Sequence, residues 1–282
     1  MRKNSYDTRY QMSLIFILMF LCFITVLPFI WIILTSVKPN TEIYTTNLQI
    51  LPQVPTLEHF QKVIERGNQL PTYIFNTLLY SAVTISVVSL FASMAGYALG
   101  TLSFRGSSLF INAILIILSI PWIILIVPIL IFEFRLQIWN TRLGLILPYI
   151  GLFLPVAIWI MRGTFLGMPK ELGESARIDG ATEFTVFWRI YLPMASGGLA
   201  TVALLTFIDI WNEVLLAASL VINPQIANIN TGLRALAEEG QSFAFGTLSA
   251  AIIIAMIPTL IIFVVLQRYY VRGISEGSLA GF

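Results

Sequence analysis

The sequence has few side chains of the kinds that build catalytic or metal centres. It contains one cysteine, Cys22, and one histidine, His59. These cannot supply an intrachain disulfide, and they are too few for a clustered metal site or a Cys–His nucleophile pair. A glycine-rich loop followed by lysine, which would hold nucleotide phosphates, is also missing from the sequence. We therefore predict no catalytic residue, no metal and no cofactor, and we expect Cys22 to be buried and His59 to be a solvated loop residue.

Charge is equally scarce. Charged residues make up 11% of the chain and hydrophobic residues 57%, whereas soluble proteins carry about 25% charged residues. A soluble fold could not bury so much apolar surface, so lipid must cover it. The net charge of +2 is small, and the sequence contains no basic run that would indicate a nucleic-acid partner.

Long apolar stretches predict about six spanning helices, since each crossing needs about 20 mostly apolar residues. The predicted helices lie near residues 12–36, 74–101, 109–131, 144–162, 197–221 and 246–267. We expect the first stretch to be retained, because it is too long for the apolar region of a signal peptide. The predicted fold class is therefore all-α: residues 1–282 form a single polytopic transmembrane domain with a polar loop at 163–195.

The distribution of basic residues predicts the orientation of these helices. With the N-terminus inside, the cytoplasmic segments hold Arg2, Lys3, Arg9, Arg105, Arg162, Lys170, Arg177, Arg189, Arg268 and Arg272. The outer segments hold Lys38, Lys62, Arg66, Arg135, Arg142 and Arg234. This excess favours cytoplasmic N- and C-termini in a multi-pass protein of the cell membrane. It also places the polar loop 163–195 in the cytoplasm.

Two short helices are predicted in this loop. Pro169 suits the first turn of a helix, and Glu171 then lies near the positive end of the helix dipole. Gly180 can adopt the left-handed backbone that follows a helix end. Thr182 can cap a second helix, and Pro193 would end it.

Helical spacing would place Phe184, Phe187 and Tyr191 on one face of the second helix. Two short helices joined at a glycine form a compact knob that could enter a groove of a partner. The alternative from the residues alone is an amphipathic helix lying on the membrane surface.

The loop sequence ELGESARIDGATEFTVFWRIYLP, from Glu171 to Pro193, resembles the "EAA" loop of permease subunits from importers driven by ATP-binding cassettes. Ser175 stands where that family usually has a second alanine. The resemblance implies a cytoplasmic loop that docks on the ATPase. The residues that it assigns to ATPase coupling are Glu174, Ser175, Ala176, Asp179, Gly180, Ile190, Leu192 and Pro193.

Further segments resemble the maltose-type carbohydrate importers in particular. They are PFIWIILTSVKPNTEIY, NTLLYSAVTISVV through YALGTLSFRG, NTRLGLILPYIG, WNEVLLA and the tail QRYYVRGISEGSLAGF. The tail departs from the family pattern, because Ser278–Gly281 replaces the usual Ala-Val-Lys-Gly.

This resemblance implies a permease subunit, not an enzyme, that translocates a sugar or oligosaccharide by alternating access. The implied partners are a homologous second permease, two cytoplasmic ATPase subunits that hydrolyse ATP, and an extracytoplasmic solute-binding protein. A permease for another small polar solute, such as a phosphorylated polyol, is the nearest alternative. A self-sufficient channel would leave the cytoplasmic loop without a role, and a membrane-embedded hydrolase would need a nucleophile–base pair within the bilayer.

Two acids, Asp209 and Glu213, lie one helical turn apart within the fifth predicted span. Acids in a membrane usually face the bundle interior or a water-filled cavity. Trp211 and Asn212 lie beside them, and an aromatic ring and an amide are suited to binding sugar faces and hydroxyls. We therefore predict a substrate pathway at Trp211, Asn212 and Glu213. The alternative is a position at the outer end of the helix, or an interhelical hydrogen bond.

The third predicted span contains Pro121, Trp122 and Pro128. These residues would interrupt the helix, either to open a surface toward the pathway or as simple kinks.

Overall fold

A computed structural model describes residues 5–45, 49–65, 69–238 and 245–279, and within these ranges it describes side chains from residue 10 to residue 265. Every regular element in these ranges is helical, which confirms the predicted all-α class. The α-helices are α1 Ser5–Ser36, α2 Asn40–Ile43, α3 Glu58–Glu65, α4 Gln69–Thr101, α5 Ser107–Ser119, α6 Ile126–Leu136, α7 Arg142–Leu166, α8 Lys170–Ile178, α9 Glu183–Val186, α10 Leu192–Met194, α11 Ser196–Asn212, α12 Leu215–Leu220, α13 Ile229–Glu238 and α14 Phe245–Leu279. Short 3₁₀ turns occupy Trp122–Leu125 and Pro224–Ile226, and a π-helical turn occupies Phe187–Tyr191.

Four helices among the described residues, α1, α4, α7 and α14, are long and apolar enough to cross a membrane. The number rises to six if each of two bent helix pairs counts as one span. One pair is Ser107–Ser119 with Trp122–Leu136, bent by 89°, and the other is Glu183–Met194 with Ser196–Asn212, bent by 71°. The spans predicted near residues 109–131 and 197–221 are therefore interrupted rather than continuous helices.

The break in the third predicted helix lies at Ile120 and Pro121, whose backbones are extended (ψ 123° and 115°). Proline lacks the N–H of a helical bond and disfavours a helical conformation at the residue before it. After a 3₁₀ turn the helix resumes as α6 and continues to Leu136, beyond the predicted end.

The fifth predicted helix stops at Asn212, because Glu213 is extended (ψ 131°). The Glu213 carboxylate accepts hydrogen bonds from the backbone N–H groups of Leu216 (2.5 Å) and Ala217 (3.0 Å). A side chain thus caps the new helix α12, and this replaces the backbone bonds that a continuous helix would make.

Residues 1–70 and 233–256 form one compact unit. In this unit α1 is exposed from Tyr10 to Trp31. Cys22 is exposed with it, so the prediction that Cys22 is buried is wrong. The apolar surface of α1 lies where lipid, rather than the rest of this unit, can cover it.

His59 is fully buried in the same unit, so the prediction of a solvated histidine is also wrong. Its Nε2 donates to the Lys38 carbonyl (2.8 Å), and its Nδ1 lies 3.0 Å from the Thr247 hydroxyl. α3 is amphipathic, and His59 and Val63, four residues apart, form its buried face. Gly246 packs directly on the imidazole ring, where a Cβ would clash.

Residues 71–232 and 257–282 form the second unit. Here α4 lies directly against α7, because a Cβ on Gly96 would come within 2.7 Å of the Met161 Cβ. A Cβ on Gly100 would come within 3.1 Å of the Arg162 carbonyl oxygen. Close helix contact through small residues is a common packing mode in membranes.

Candidate coupling loop and solute cavity

The first helix of the polar loop, α8, begins after Pro169 and ends at Asp179. Gly180 follows with φ +85°, which is the left-handed backbone that the sequence predicts. The Ala181 N–H donates to the Ala176 carbonyl (2.9 Å), and the Gly180 N–H donates to the Arg177 carbonyl (3.0 Å). These two bonds form a Schellman motif, which satisfies carbonyl groups at the helix end and fixes the direction of the chain.

The second half of the loop begins at Thr182, whose hydroxyl accepts the Thr185 N–H (3.3 Å) as a helix cap. The predicted common face is wrong for Phe184, which is 68% exposed, whereas Phe187 and Tyr191 are buried. Phe184 instead contacts Trp188, with ring centroids 5.8 Å apart. A π-helical turn at Phe187–Tyr191 interrupts the regular α-helical spacing that the prediction assumed.

Pro193 does not end this helix, contrary to the prediction. The backbone stays helical to Met194, and the bend falls at Ala195 before α11. Pro193 lies in the first turn of α10, directly after the π-helical turn Phe187–Tyr191.

An aromatic cluster joins the loop to the spanning helices. Tyr97 of α4 and Phe165 of α7 pack against Phe187 and Tyr191 of the loop, with centroid distances between 5.2 and 6.4 Å. Tyr191 reaches α8 only because Gly173 has no side chain: a Cβ there would lie 2.9 Å from the Tyr191 hydroxyl. The same hydroxyl donates to the Pro169 carbonyl (3.3 Å).

A polar chain of Tyr97, Glu183 and Arg177 holds the two halves of the loop together. Arg177 donates to both Glu183 oxygens (2.5 and 3.2 Å), and the Tyr97 hydroxyl donates to Glu183 Oε2 (2.8 Å). The bidentate bond to Glu183 raises the pKa of the Arg177 guanidinium above its ordinary value. Arg177 and Glu183 are partly solvated (35% and 48% exposed), so the pair contributes at most about 1 kcal/mol of stability and chiefly sets geometry.

The residues assigned to ATPase coupling fall into an exposed group and a half-buried group. Glu174, Ser175, Asp179, Gly180 and Pro193 are exposed, and Ala176, Ile190 and Leu192 are half-buried against the aromatic cluster. Two apolar side chains that the sequence reasoning did not assign, Ile178 (87% exposed) and Phe184, project from the same loop. The loop therefore presents a surface on which these two apolar side chains are exposed.

A cavity of about 380 Å³ lies in the second unit, between α5, α7 and α11. Its lining residues are Leu118, Trp122, Tyr149, Leu152, Phe153, Val156, Asp209, Asn212, Glu213, Val214 and Leu215. Trp122 reaches the cavity because of the break at Pro121. The interruption of the third predicted helix thus opens a surface toward the cavity and is not a simple kink.

The three polar residues near the end of α11 differ in how many of their hydrogen-bonding atoms lack a partner. Glu213 is engaged, since it also accepts the Tyr149 hydroxyl (2.8 Å) in addition to the two backbone N–H groups. Asn212 donates one amide hydrogen to the Ile208 carbonyl (2.9 Å) of its own helix and keeps its oxygen. Asp209 has no hydrogen-bond or ion-pair partner within the described part of the chain, so Asp209 and Asn212 are the groups available to a solute.

Trp211 is not brought into the cavity. It is buried (6% exposed) and packs on Phe207, with ring centroids 5.2 Å apart. Helical spacing explains the division, because 209 and 212 share one face of α11 while 207 and 211 share the other. Helical spacing alone could have separated Trp211 from Asn212, whereas the prediction relied on their being neighbours in the sequence.

Sequence reasoning also missed Glu133, which is 1% exposed near the end of α6. Neither carboxylate oxygen has a hydrogen-bond partner among the described residues, and Oε2 packs against Gly144 of the first turn of α7. The predicted span ended at residue 131, two residues before this acid.

The side chains of the family-like tail, Gln267–Phe282, lie outside the described part of the chain, although the backbone of α14 is helical to Leu279. Glu238, at the end of α13, is exposed and pairs with Arg234 at 2.6 Å.

Comparison with known proteins agrees with the architecture. A family model described as binding-protein-dependent transport system inner membrane component matches residues 92–276. The arabinooligosaccharides transport system permease protein of Halalkalibacterium halodurans is 34% identical over 265 residues, covering 93% of this chain and 94% of that protein. The diacetylchitobiose uptake system permease protein of Streptomyces coelicolor is 32% identical over 260 residues, with coverage of 91% and 92%.

Among solved structures, a bacterial ABC transporter involved in the import of the acidic polysaccharide alginate has a chain of the same fold. The TM-score is 0.83 at 21% identity, and the match covers 96% of this chain and 99% of that chain. These matches and the all-helical architecture confirm the resemblance drawn from the sequence. The chain belongs to the family of binding-protein-dependent transport system inner membrane components and is a permease subunit of an ATP-binding-cassette importer.

Proposed function

We propose that this permease translocates a sugar of two or more units and takes its driving force from ATPase subunits docked on the loop 163–195. The observation that carries the coupling role is the anchoring of this loop by Tyr97, Phe165, Phe187 and Tyr191. A loop packed rigidly on α4 and α7 can pass a displacement to both helices, because a close-packed interior transmits strain.

The docking surface is the exposed part of α8 and the turn at Gly180. Closure of the ATPase dimer would move this surface, and the aromatic cluster would carry the movement into the spanning helices. In this scheme ATP hydrolysis belongs to two ATPase chains. A homologous second permease completes the pathway, an extracytoplasmic binding protein delivers the solute, and both termini of this chain are cytoplasmic.

The cavity supports a sugar as the solute. Trp122 and Phe153 offer aromatic surface, and Asp209 and Asn212 offer hydrogen-bonding groups, which is the mixture that binds the faces and hydroxyls of sugar rings. The two relatives described above are named for arabinooligosaccharides and diacetylchitobiose, which are both uncharged saccharides.

The test is reconstitution of the chain with a second permease, an ATPase and a solute-binding protein from the same organism. We expect the four proteins to co-purify and to import radiolabelled arabinotriose or diacetylchitobiose into proteoliposomes only when ATP is present. A complex with an ATPase subunit that binds but does not hydrolyse ATP is the matched control. Solute flux through this chain alone, without ATP, would show a channel and would refute the proposal.

A further inference from the structure

The polar groups free in the cavity carry charge of one sign only. Asp209 brings a carboxylate, Asn212 brings a neutral amide, and none of the described residues that line the cavity is Lys, Arg or His. Glu213 adds a second carboxylate, whose oxygens are already occupied by Tyr149 and two backbone N–H groups.

Asp209 is exposed and unpartnered among the described residues, although it lies in the last turn of α11, within a bent pair apolar enough to span the membrane. An unpaired acid at that depth is tolerated where it faces water, since a charge left in lipid or in a dry core is costly. Asp209 lines the cavity, so water in the cavity can solvate its carboxylate, and an ionised carboxylate there makes the potential negative.

We propose that Asp209 is a specificity-determining residue that makes the cavity reject anionic solutes. Sugars that carry phosphate, sulfonate or carboxylate groups would be excluded, and uncharged sugars would pass, with their hydroxyl groups donating to Asp209. This inference deepens the proposed function and relies on it for the solute's being a sugar, but the charge selection can be measured without transport.

The repulsion between the Asp209 carboxylate and an anion in the cavity is large enough to measure. Two like charges about 7 Å apart repel enough to change a local concentration about threefold in bulk water, and about fiftyfold at an effective dielectric constant of about 20. Ordered cavity water lies between these limits. Removal of the Asp209 charge should change the ratio of cation to anion concentration in the cavity by at least about fivefold, because the two ions respond in opposite directions.

Cysteine labelling can measure this ratio, because Cys22 is the only native cysteine. In a Cys22→Ser background, Val156→Cys and, separately, Leu118→Cys place a thiol on the cavity wall. The assembled complex in detergent is labelled with methanethiosulfonates that carry a quaternary ammonium, a sulfonate or an uncharged group. The uncharged reagent normalises the two charged rates for access and for any change in cavity shape.

We expect the ammonium reagent to react faster than the sulfonate at both thiols, and Asp209→Asn to lower the ratio at least about fivefold. Glu65→Gln, which removes one acid from an exposed site outside the cavity lining, should leave the ratio unchanged. An Asp209→Asn ratio equal to that of the parent would overturn the inference. So would a failure of both thiols to react with any reagent, since the cavity would then be closed to solutes.

The labelling ratio and the import of sugar can be interpreted independently of each other. A complex that shows the charge ratio but imports no sugar keeps the charge selection and refutes the sugar assignment. A complex that imports the sugar without a charge ratio refutes only the role of Asp209.

Discussion

The replacement Gly180→Val tests whether the loop 163–195 couples this permease to its ATPase. Gly180 has φ +85° and closes the Schellman motif after α8. A valine Cβ there would meet no described atom within 4 Å, so the substitution acts through the backbone rather than through a clash inside the chain.

The expected cost follows from the conformation. A β-branched residue held in the left-handed region carries about 1–3 kcal/mol of strain. Relief of that strain breaks the bonds from Gly180 and Ala181 that orient the turn. An energy of this size shifts the balance between the ordered turn and its alternatives by about 5- to 150-fold, while the spanning helices keep their contacts.

Gly106 provides a matched control. It has φ +95°, a Cβ there would also be free of described atoms within 4 Å, and it precedes α5 outside the loop. Gly106→Val therefore carries a similar strain without touching the docking surface, and Gly180→Asn keeps a residue that tolerates the left-handed backbone.

The assay measures three quantities for each variant: permease in the membrane, ATPase subunits retained on purification, and solute uptake. We expect Gly180→Val to insert in normal amounts, to retain the ATPase poorly and to import little solute. Gly106→Val and Gly180→Asn should keep most of the ATPase retention and most of the solute uptake. Full ATPase retention and uptake in Gly180→Val would refute the coupling role and favour a helix lying on the membrane surface. Equal losses in both valine variants would show general destabilisation instead.

Three further predictions concern Asn212 in the cavity, the side of the membrane on which the C-terminus lies, and the buried His59. Asn212→Ala should reduce uptake several-fold with normal assembly, because it removes a free amide oxygen from the cavity, and unchanged uptake at low solute concentration would contradict this role. A reporter fused after Phe282 should lie in the cytoplasm, and a periplasmic signal would overturn both the orientation and the docking argument. His59→Phe should lower the thermal stability of the detergent-solubilised protein, because the Lys38 carbonyl and the Thr247 hydroxyl lose their partner at about 1–3 kcal/mol for a buried polar group; an unchanged melting temperature would contradict this.

Local chemistry explains where the sequence succeeded. The number of apolar stretches predicts the membrane class, because hydrophobic length is a property of the chain alone. The turn at Gly180 and the cap at Thr182 were also predictable, since both depend on a residue's own backbone preference or on bonds to neighbours three to five positions away.

Other features depended on packing between distant segments. The exposure of Cys22 and the burial of His59 were decided by which helices meet, and each residue looks the same in sequence whichever way it faces. The separation of Trp211 from the cavity depended on the face that α11 turns toward α5 and α7.

The sequence by itself determined a helical membrane chain with a polar two-helix loop, because hydrophobic length and turn chemistry act locally. Only the tertiary structure decided that the fifth helix breaks, that Glu213 caps a helix and that Asp209 has no partner among the described residues. Those outcomes depend on whether a polar group meets a partner from a distant part of the chain. In an apolar environment the presence or absence of such a partner distinguishes Glu213, which stabilises the fold, from Asp209, which keeps its hydrogen-bonding atoms for a solute.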